Sequence, residues 1–258
     1  GGLSSASYAN DGTRIVTASS DSTVRIWDAA TGQSHAVLKG HPGLVRAAEF
    51  SRDGTLIVSG GHDGTAILWR AGSGEMIETL TGHTDSVGAV GFSHDGRSIV
   101  TGSDDGTLRI LDAETYRLRA TTAATKEDVS MVQFSPSGAQ VVTANFDNTV
   151  NIWDAVDGRL LQSISGFAAD VRSATYSTDG RRLVVASADG KTRLWDVTRF
   201  AQSWRELSDD ACTRLLTRRD RTFSQAEIDA DQLLNGQWPR LDRDVCTGET
   251  IALDSEGD

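Results

Sequence analysis

A 42-residue internal period constrains this chain more than any other feature. Trp27-Asp28, Trp69-Arg70, Leu111-Asp112, Trp153-Asp154 and Trp195-Asp196 follow one another at that step, with no insertion or deletion. Asp-Gly recurs in the same register at Asp11-Gly12, Asp53-Gly54, Asp95-Gly96 and Asp179-Gly180, with Ser137-Gly138 in the remaining unit. A second turn carries Asp in all five units, at Asp21, Asp63, Asp105, Asp147 and Asp189. Aromatics recur at Tyr8, Phe50, Phe92, Phe134 and Tyr176, and Gly-His at Gly40-His41 and Gly82-His83. A period of this length marks a unit that cannot bury its apolar surface alone and must stack on its neighbours.

Each unit reads as four short strands. In the second, LVRAAEFS, TLIVSGG, TAILWR and EMIETL are separated by the turns Arg52-Asp53-Gly54, His62-Asp63-Gly64 and Ala71–Gly74. Short runs closed by Asp-Gly turns are hairpin signals. The alternation of Val45 and Ala47, and of Ile57 and Ser59, against their neighbours predicts half-buried strands. The abundance of Gly (26 residues) over Pro (3) suits a chain built from tight turns.

These residues resemble the WD-repeat (WD-40) family over residues 3–197. The resemblance implies an all-β fold, a β-propeller of four-stranded blades around a central channel. It also implies a structural network in which His41, Asp63 and Trp69 join a hydroxyl, Ser59, within one blade. A buried carboxylate needs such donors, so this constellation is a staple and not a catalytic triad. The network is expected to thin along the chain. The third unit has His83 and Asp105 but Leu111 in place of Trp. The Gly-His position reads Ala124-Thr125 before the fourth unit and Gly166-Phe167 before the fifth, which predicts lower local stability there.

Rings of this family usually have seven blades, and five repeats are visible. The first opens on an inner strand, and the last shows no evident outer strand. Three explanations stand: a fragment of a larger ring, a five-bladed ring, or an open arc completed by another copy. The fragment is the expected one, because an open arc exposes strand edges. Repeats end near 28, 70, 112, 154 and 196, giving a propeller over 1–197 and a helical tail over 198–258. In the tail, Ala201–Leu207 reads as an outer strand or a short helix. Ser208 opens one helix, and Ser224 with Glu227 forms the capping box of a second. The tail is expected to pack on the last blade and fray at its end. Ala211-Cys212, Arg214-Leu215, Arg221-Thr222 and Val245-Cys246 resemble the C-termini of large bacterial WD-repeat proteins. In those, a propeller follows a switch ATPase, a Toll-like, a caspase-like or a kinase domain.

The net charge of −11 lacks the basic surplus that phosphate binding requires, so a general nucleic-acid role is not expected. No apolar run is long enough to span a membrane, and the start Gly1-Gly2-Leu3-Ser4 has no signal-peptide pattern. Cys212 and Cys246 could be bonded or be two buried thiols. Such sparse usage points to the cytoplasm. No P-loop, G-x-S-x-G or H-E-x-x-H motif occurs. The histidines His35, His41, His62, His83 and His94 follow repeat position and do not gather at a metal. No catalytic, cofactor or metal site is expected.

Binding residues are sought on the rim. Ser20, His62, Asp104, Phe146 and Ala188 precede the turn Asp, and Arg46, Gly88, Ser130 and Arg172 stand near the start of each inner strand. Arg46, His62, Asp104, Phe146 and Arg172 form the expected partner-binding set, with Phe146 either an exposed anchor or packed over a neighbouring loop. The resulting expectation is a non-catalytic protein-interaction scaffold, the sensor region of a larger bacterial protein. Its partner is another protein or an upstream domain of the same polypeptide. A small-molecule or glycan-binding propeller, or a propeller hydrolase or lyase, are the alternatives.

Overall fold

The Asp-Gly turns close the hairpins by local chemistry. At Asp53-Gly54 the Asp53 carboxylate accepts from the Ser51 hydroxyl at 2.6 Å and from the Thr55 N–H at 3.0 Å. Gly54 takes a φ of 69°, where a Cβ would be strained. In the unit with Ser137-Gly138 the same bonds are made by a hydroxyl, as Ser137 and Ser135 pair at 3.0 Å. The computed structural model describes residues 2–122, 125 and 127–198. It concerns the unit Gly1–Ala201; the second unit, Gln202–Asp258, lies outside the described residues. The tail helices and both cysteines anticipated from the sequence therefore fall outside them.

Nineteen strands are described. Blade 1 holds β1 (Leu3–Tyr8), β2 (Arg14–Ser19), β3 (Thr23–Asp28) and β4 (Ser34–Lys39). Blade 2 holds β5 (Val45–Phe50), β6 (Leu56–Gly61), β7 (Ala66–Arg70) and β8 (Met76–Leu80). Blade 3 holds β9 (Val87–Phe92), β10 (Ser98–Ser103), β11 (Leu108–Asp112) and β12 (Leu118–Thr121). Blade 4 holds β13 (Val129–Phe134), β14 (Gln140–Asn145), β15 (Val150–Asp154) and β16 (Leu160–Ile164). Blade 5 holds β17 (Val171–Tyr176), β18 (Arg182–Ser187) and β19 (Thr192–Asp196). Each blade is an antiparallel meander; the first four have four strands, and the fifth has three among the described residues.

The apolar core lies between blades. Ile26 and Leu38 of blade 1 pack against Val45, Phe50, Ile57 and Trp69 of blade 2, and the same layer repeats at each later junction. Burying one such side chain contributes about 1.5–3 kcal/mol. Close approach selects glycine at Gly60, where a Cβ would lie 2.7 Å from the Val87 carbonyl oxygen.

Two expectations about strand faces are corrected. The middle strands of the interior blades are not half-buried: β10 and β14 are buried along their whole length, because each carries a neighbouring blade on both faces, whereas β18 of blade 5 does alternate. Val45 and Ala47 do not share a face. A register shift at Arg46 places Val45 with Ala48 toward blade 1 and Ala47 toward blade 3.

The outward faces of the first and last blades differ from the interior ones. Val184 and Leu194 occupy the positions at which Val58 and Leu68 are fully buried, yet they are 45% and 60% exposed. Leu3 and Tyr8, in register with Val45 and Phe50, are 66% and 64% exposed. With cover from the described blades on one face only, blade 5 should open more easily than blade 2. Hydrogen-exchange mass spectrometry should find the amides of β18 and β19 exchanging faster than those of β6 and β7. Equal protection would contradict the burial argument.

Candidate interaction surface

The blade network begins at the tight turn between the second and third strands. In blade 2, His41 Nδ1 lies 3.0 Å from Asp63, and His41 Nε2 lies 2.8 Å from the Ser59 hydroxyl. Trp69 Nε1–H donates to the same hydroxyl at 2.8 Å. One tautomer satisfies every group: the indole donates to Ser59, Ser59 donates to Nε2, and Nδ1–H donates to Asp63. Ser59 is fully buried and Trp69 is 1% exposed, so no water can replace a lost partner. Gly61 is required beneath the imidazole, since a Cβ there would meet His41 Nδ1 at 2.4 Å.

Blade 3 keeps half of this chain. His83 bridges Asp105 at 3.0 Å and the Thr101 hydroxyl at 2.8 Å, and Leu111 fills the indole position. Burial lowers the His83 pKa below its ordinary value, against the raising effect of Asp105. Burial also opposes ionisation of Asp105, but the Thr107 hydroxyl and the N–H groups of Thr84 and Thr107 hold its pKa at about 2. This pair is therefore a neutral imidazole donating to a carboxylate. Blades 1 and 4 keep the other half: Trp27 donates to Thr17 at 2.9 Å and Trp153 donates to Thr143 at 3.1 Å.

Sequence reasoning missed a second kind of partner for the turn carboxylate. In blade 1, Arg25 reaches Asp21 at 2.9 Å, and in blade 5, Arg193 reaches Asp189 at 2.8 Å. Arg193 also lies over Phe167, 5.0 Å from the ring centroid, and Phe167 packs on Trp195 at 6.2 Å. Phe167 thus takes the imidazole's place while a guanidinium carries the polar contact. The signal was present two residues before each Trp, at Arg25 and Arg193, but only the folded strand aligns that position with the turn Asp. Blade 5 also loses the hydroxyl, because Val185 stands in register with Ser59, and Trp195 Nε1 is buried without a hydrogen-bond partner.

The rim residues join in pairs that cross from one blade to the next. Arg46 of blade 2 forms an ion pair with Asp104 of blade 3. Burial raises the Asp104 pKa, Arg46 opposes this, and the charges of Asp128 and Asp85 add to the rise. His62 Nδ1 meets the Ser86 hydroxyl at 2.5 Å. Arg172 of blade 5 lies over the Phe146 ring of blade 4, 4.6 Å from its centroid, and reaches Asp170 at 3.1 Å. Phe146 is half-buried and Arg172 exposed, so the aromatic is held by a neighbouring side chain while the pair still faces solvent.

A cavity of about 450 Å³ lies where the ends of the inner strands converge, lined by Glu49, Phe50, Phe92, Gln133, Phe134 and Tyr176. Burial raises the Glu49 pKa to about 7, with the Phe92 N–H as an opposing donor. The sequence did not single Glu49 out, because nothing in the repeat distinguishes an inward-facing carboxylate from an outward one. No group of three or more His, Cys, Asp or Glu side chains able to hold a metal occurs among the described residues.

Two measurements check the network. Ser59→Ala leaves His41 Nε2 and Trp69 Nε1 without their shared partner and should cost about 1–3 kcal/mol in urea unfolding. His83 binds its proton less readily in the folded chain than at the ordinary value of 6.5. Its contribution to stability is therefore complete above that value and is lost as pH falls through the folded pKa. The melting temperature should decline as pH falls below the ordinary histidine value of 6.5, and His83→Gln should flatten that decline. An unchanged pH profile in the variant would exclude His83 as its source.

No helix among the described residues is long and apolar enough to cross a membrane. No curated protein matches the chain at a significant level. The family described as WD domain, G-beta repeat matches residues 1–28, 32–70, 74–112, 116–154 and 158–196, each interval ending on the last central-strand residue of a blade. Repeats of this kind build protein-interaction scaffolds in general. Five matches in register with five blades, together spanning most of the sequence, mean that the chain belongs to the WD domain, G-beta repeat family.

Proposed function

We propose that the described blades are a non-catalytic protein-interaction surface, the regulatory or sensor region of a larger bacterial protein that works in the cytoplasm. The observation that carries this reading is the Arg172–Phe146 pair. It places a guanidinium and an aromatic ring together on the rim, fixed by contacts to two blades. Arginine and aromatic side chains dominate interface energetics, and side chains held in place before binding lose less freedom when a partner arrives. The Arg46–Asp104 pair fixes the adjoining rim in the same way.

A non-catalytic reading is supported by what the polar residues do. His41, His83 and the turn aspartates are engaged in holding strands and turns. The resemblance of the sequence after Val197 to the ends of large bacterial WD-repeat proteins supports the wider context. There the partner is another protein or an upstream domain of the same polypeptide.

Captured partners should be tested against rim variants of the full chain. Phe146→Ala combined with Arg172→Ala should weaken a specific partner by about thirtyfold, near 2 kcal/mol, whereas Arg70→Ala should leave binding unchanged. Undiminished binding by the double variant, with its melting curve intact, would remove this surface as the interface.

A further inference from the structure

The turn aspartates divide their two oxygens in the same manner in four blades. Oδ2 meets a nitrogen of another side chain: Arg25 at 2.9 Å, His41 at 3.0 Å, His83 at 3.0 Å and Arg193 at 2.8 Å. Oδ1 is left to staple the turn, as where Asp21 accepts from the Thr23 N–H at 3.1 Å. In blade 4, Asp147 Oδ1 does the same work, accepting from the Thr149 N–H at 3.1 Å and its hydroxyl at 2.5 Å. Asp147 Oδ2 has no such nitrogen partner among the described residues.

The repeat register shows why. Thr125 stands where His41 and His83 stand, and its hydroxyl turns away to the carbonyls of Gly106 and Glu127 at 3.1 and 2.6 Å. Asn151 stands where Arg25 and Arg193 stand, and its amide ends three atoms short of the guanidinium Nη2 that reaches the aspartate there. Asn151 is 5% exposed, and its Oδ1 is buried without a hydrogen-bond partner. Asn145, in register with Gly61, donates its amide to Thr149 at 3.1 Å and so closes the imidazole's side of the site.

A cavity of about 600 Å³ opens to solvent here, lined by Thr125, Asp147, Thr149, Asn151, Trp153 and Arg159. Arg159 faces Asp157, 3.9 Å away, and does not pair with Asp147. The walls thus offer a carboxylate, an amide oxygen short of a donor and the small exposed part of the otherwise buried Trp153 indole. A guanidinium suits this lining, since it is planar and donates from several N–H groups to carboxylate and amide oxygens. An ammonium lacks the planar fork, and a neutral urea lacks the charge.

We propose that this blade 4 cavity binds a guanidinium supplied from outside the chain, the side chain of an arginine on a partner protein. The incoming group restores to Asp147 the contact that Arg25 and Arg193 give their own blades. The site does not include Phe146 or Arg172, so it stands or falls apart from the rim interface.

The test is a titration of the full chain followed by the Trp153 indole N–H resonance. Arginine capped at both termini should shift that resonance saturably. Capped lysine should bind at least about tenfold more weakly, and capped citrulline, equal in shape but uncharged, should not bind. Asp147→Asn should abolish the shift. Asn151→Arg, which carries its own guanidinium, should also abolish it and should melt at a higher temperature. Citrulline binding as well as arginine, or undiminished binding by Asn151→Arg, would overturn the proposal. Free arginine binding more tightly than the capped form would overturn the assignment to a partner protein's side chain.

Discussion

A sheet with apolar side chains on both faces must be covered twice, and this requirement governs the packing of the whole unit. Ile57 of β6 looks toward blade 1 while Val58 looks toward blade 3, and both are fully buried. No blade can meet that condition by itself. The 42-residue period is the covalent form of this constraint: every blade repeats the same large and small positions, so each face fits the next. Where no further blade lies among the described residues, at Val184 and Leu194, the same positions are exposed.

The polar network solves a second problem, the aspartate that each tight turn requires. Its Oδ1 stabilises the turn, and its Oδ2 is brought against the side of the blade, where a partner is needed. The five blades answer differently within one backbone frame. Two use an imidazole held by a hydroxyl, and two use an arginine two residues before the Trp. Blade 4 has neither residue, and its Asp147 borders a solvent-open cavity. The backbone turn is thus more constant than the chemistry that supports it, because the turn geometry depends on Oδ1 alone. Freed from a fixed partner, the second oxygen can vary from blade to blade, which is how a structural repeat acquires a local binding property.

The rim shows the same economy of position. Residues preceding the turn Asp and residues opening the inner strand of an adjacent blade are far apart in sequence but adjacent in space. Arg46 with Asp104, and Phe146 with Arg172, are therefore cross-blade contacts as well as surface groups. A change at one of them acts on both the surface and the junction beneath it, so the folded state of each variant has to be measured alongside its binding.

The sequence by itself determined the five repeats and the strand order within each, because these follow from period, turn residues and register; the His41–Asp63–Trp69 relation came from the resemblance those repeats carry. The same resemblance named Ser59, whose hydroxyl meets His41 and Trp69 inside the blade. Only the tertiary structure decided which strand faces are covered, since burial on both sides of β10 and β14 comes from neighbouring blades and leaves no alternation to read. It alone revealed the shift at Arg46 that separates Val45 from Ala47, the arginine partners of Asp21 and Asp189, and the cavity beside Asp147. Each of these depends on distances between side chains whose separation in sequence varies from blade to blade. A repeat pattern records which residues share a position, whereas packing decides which of them touch.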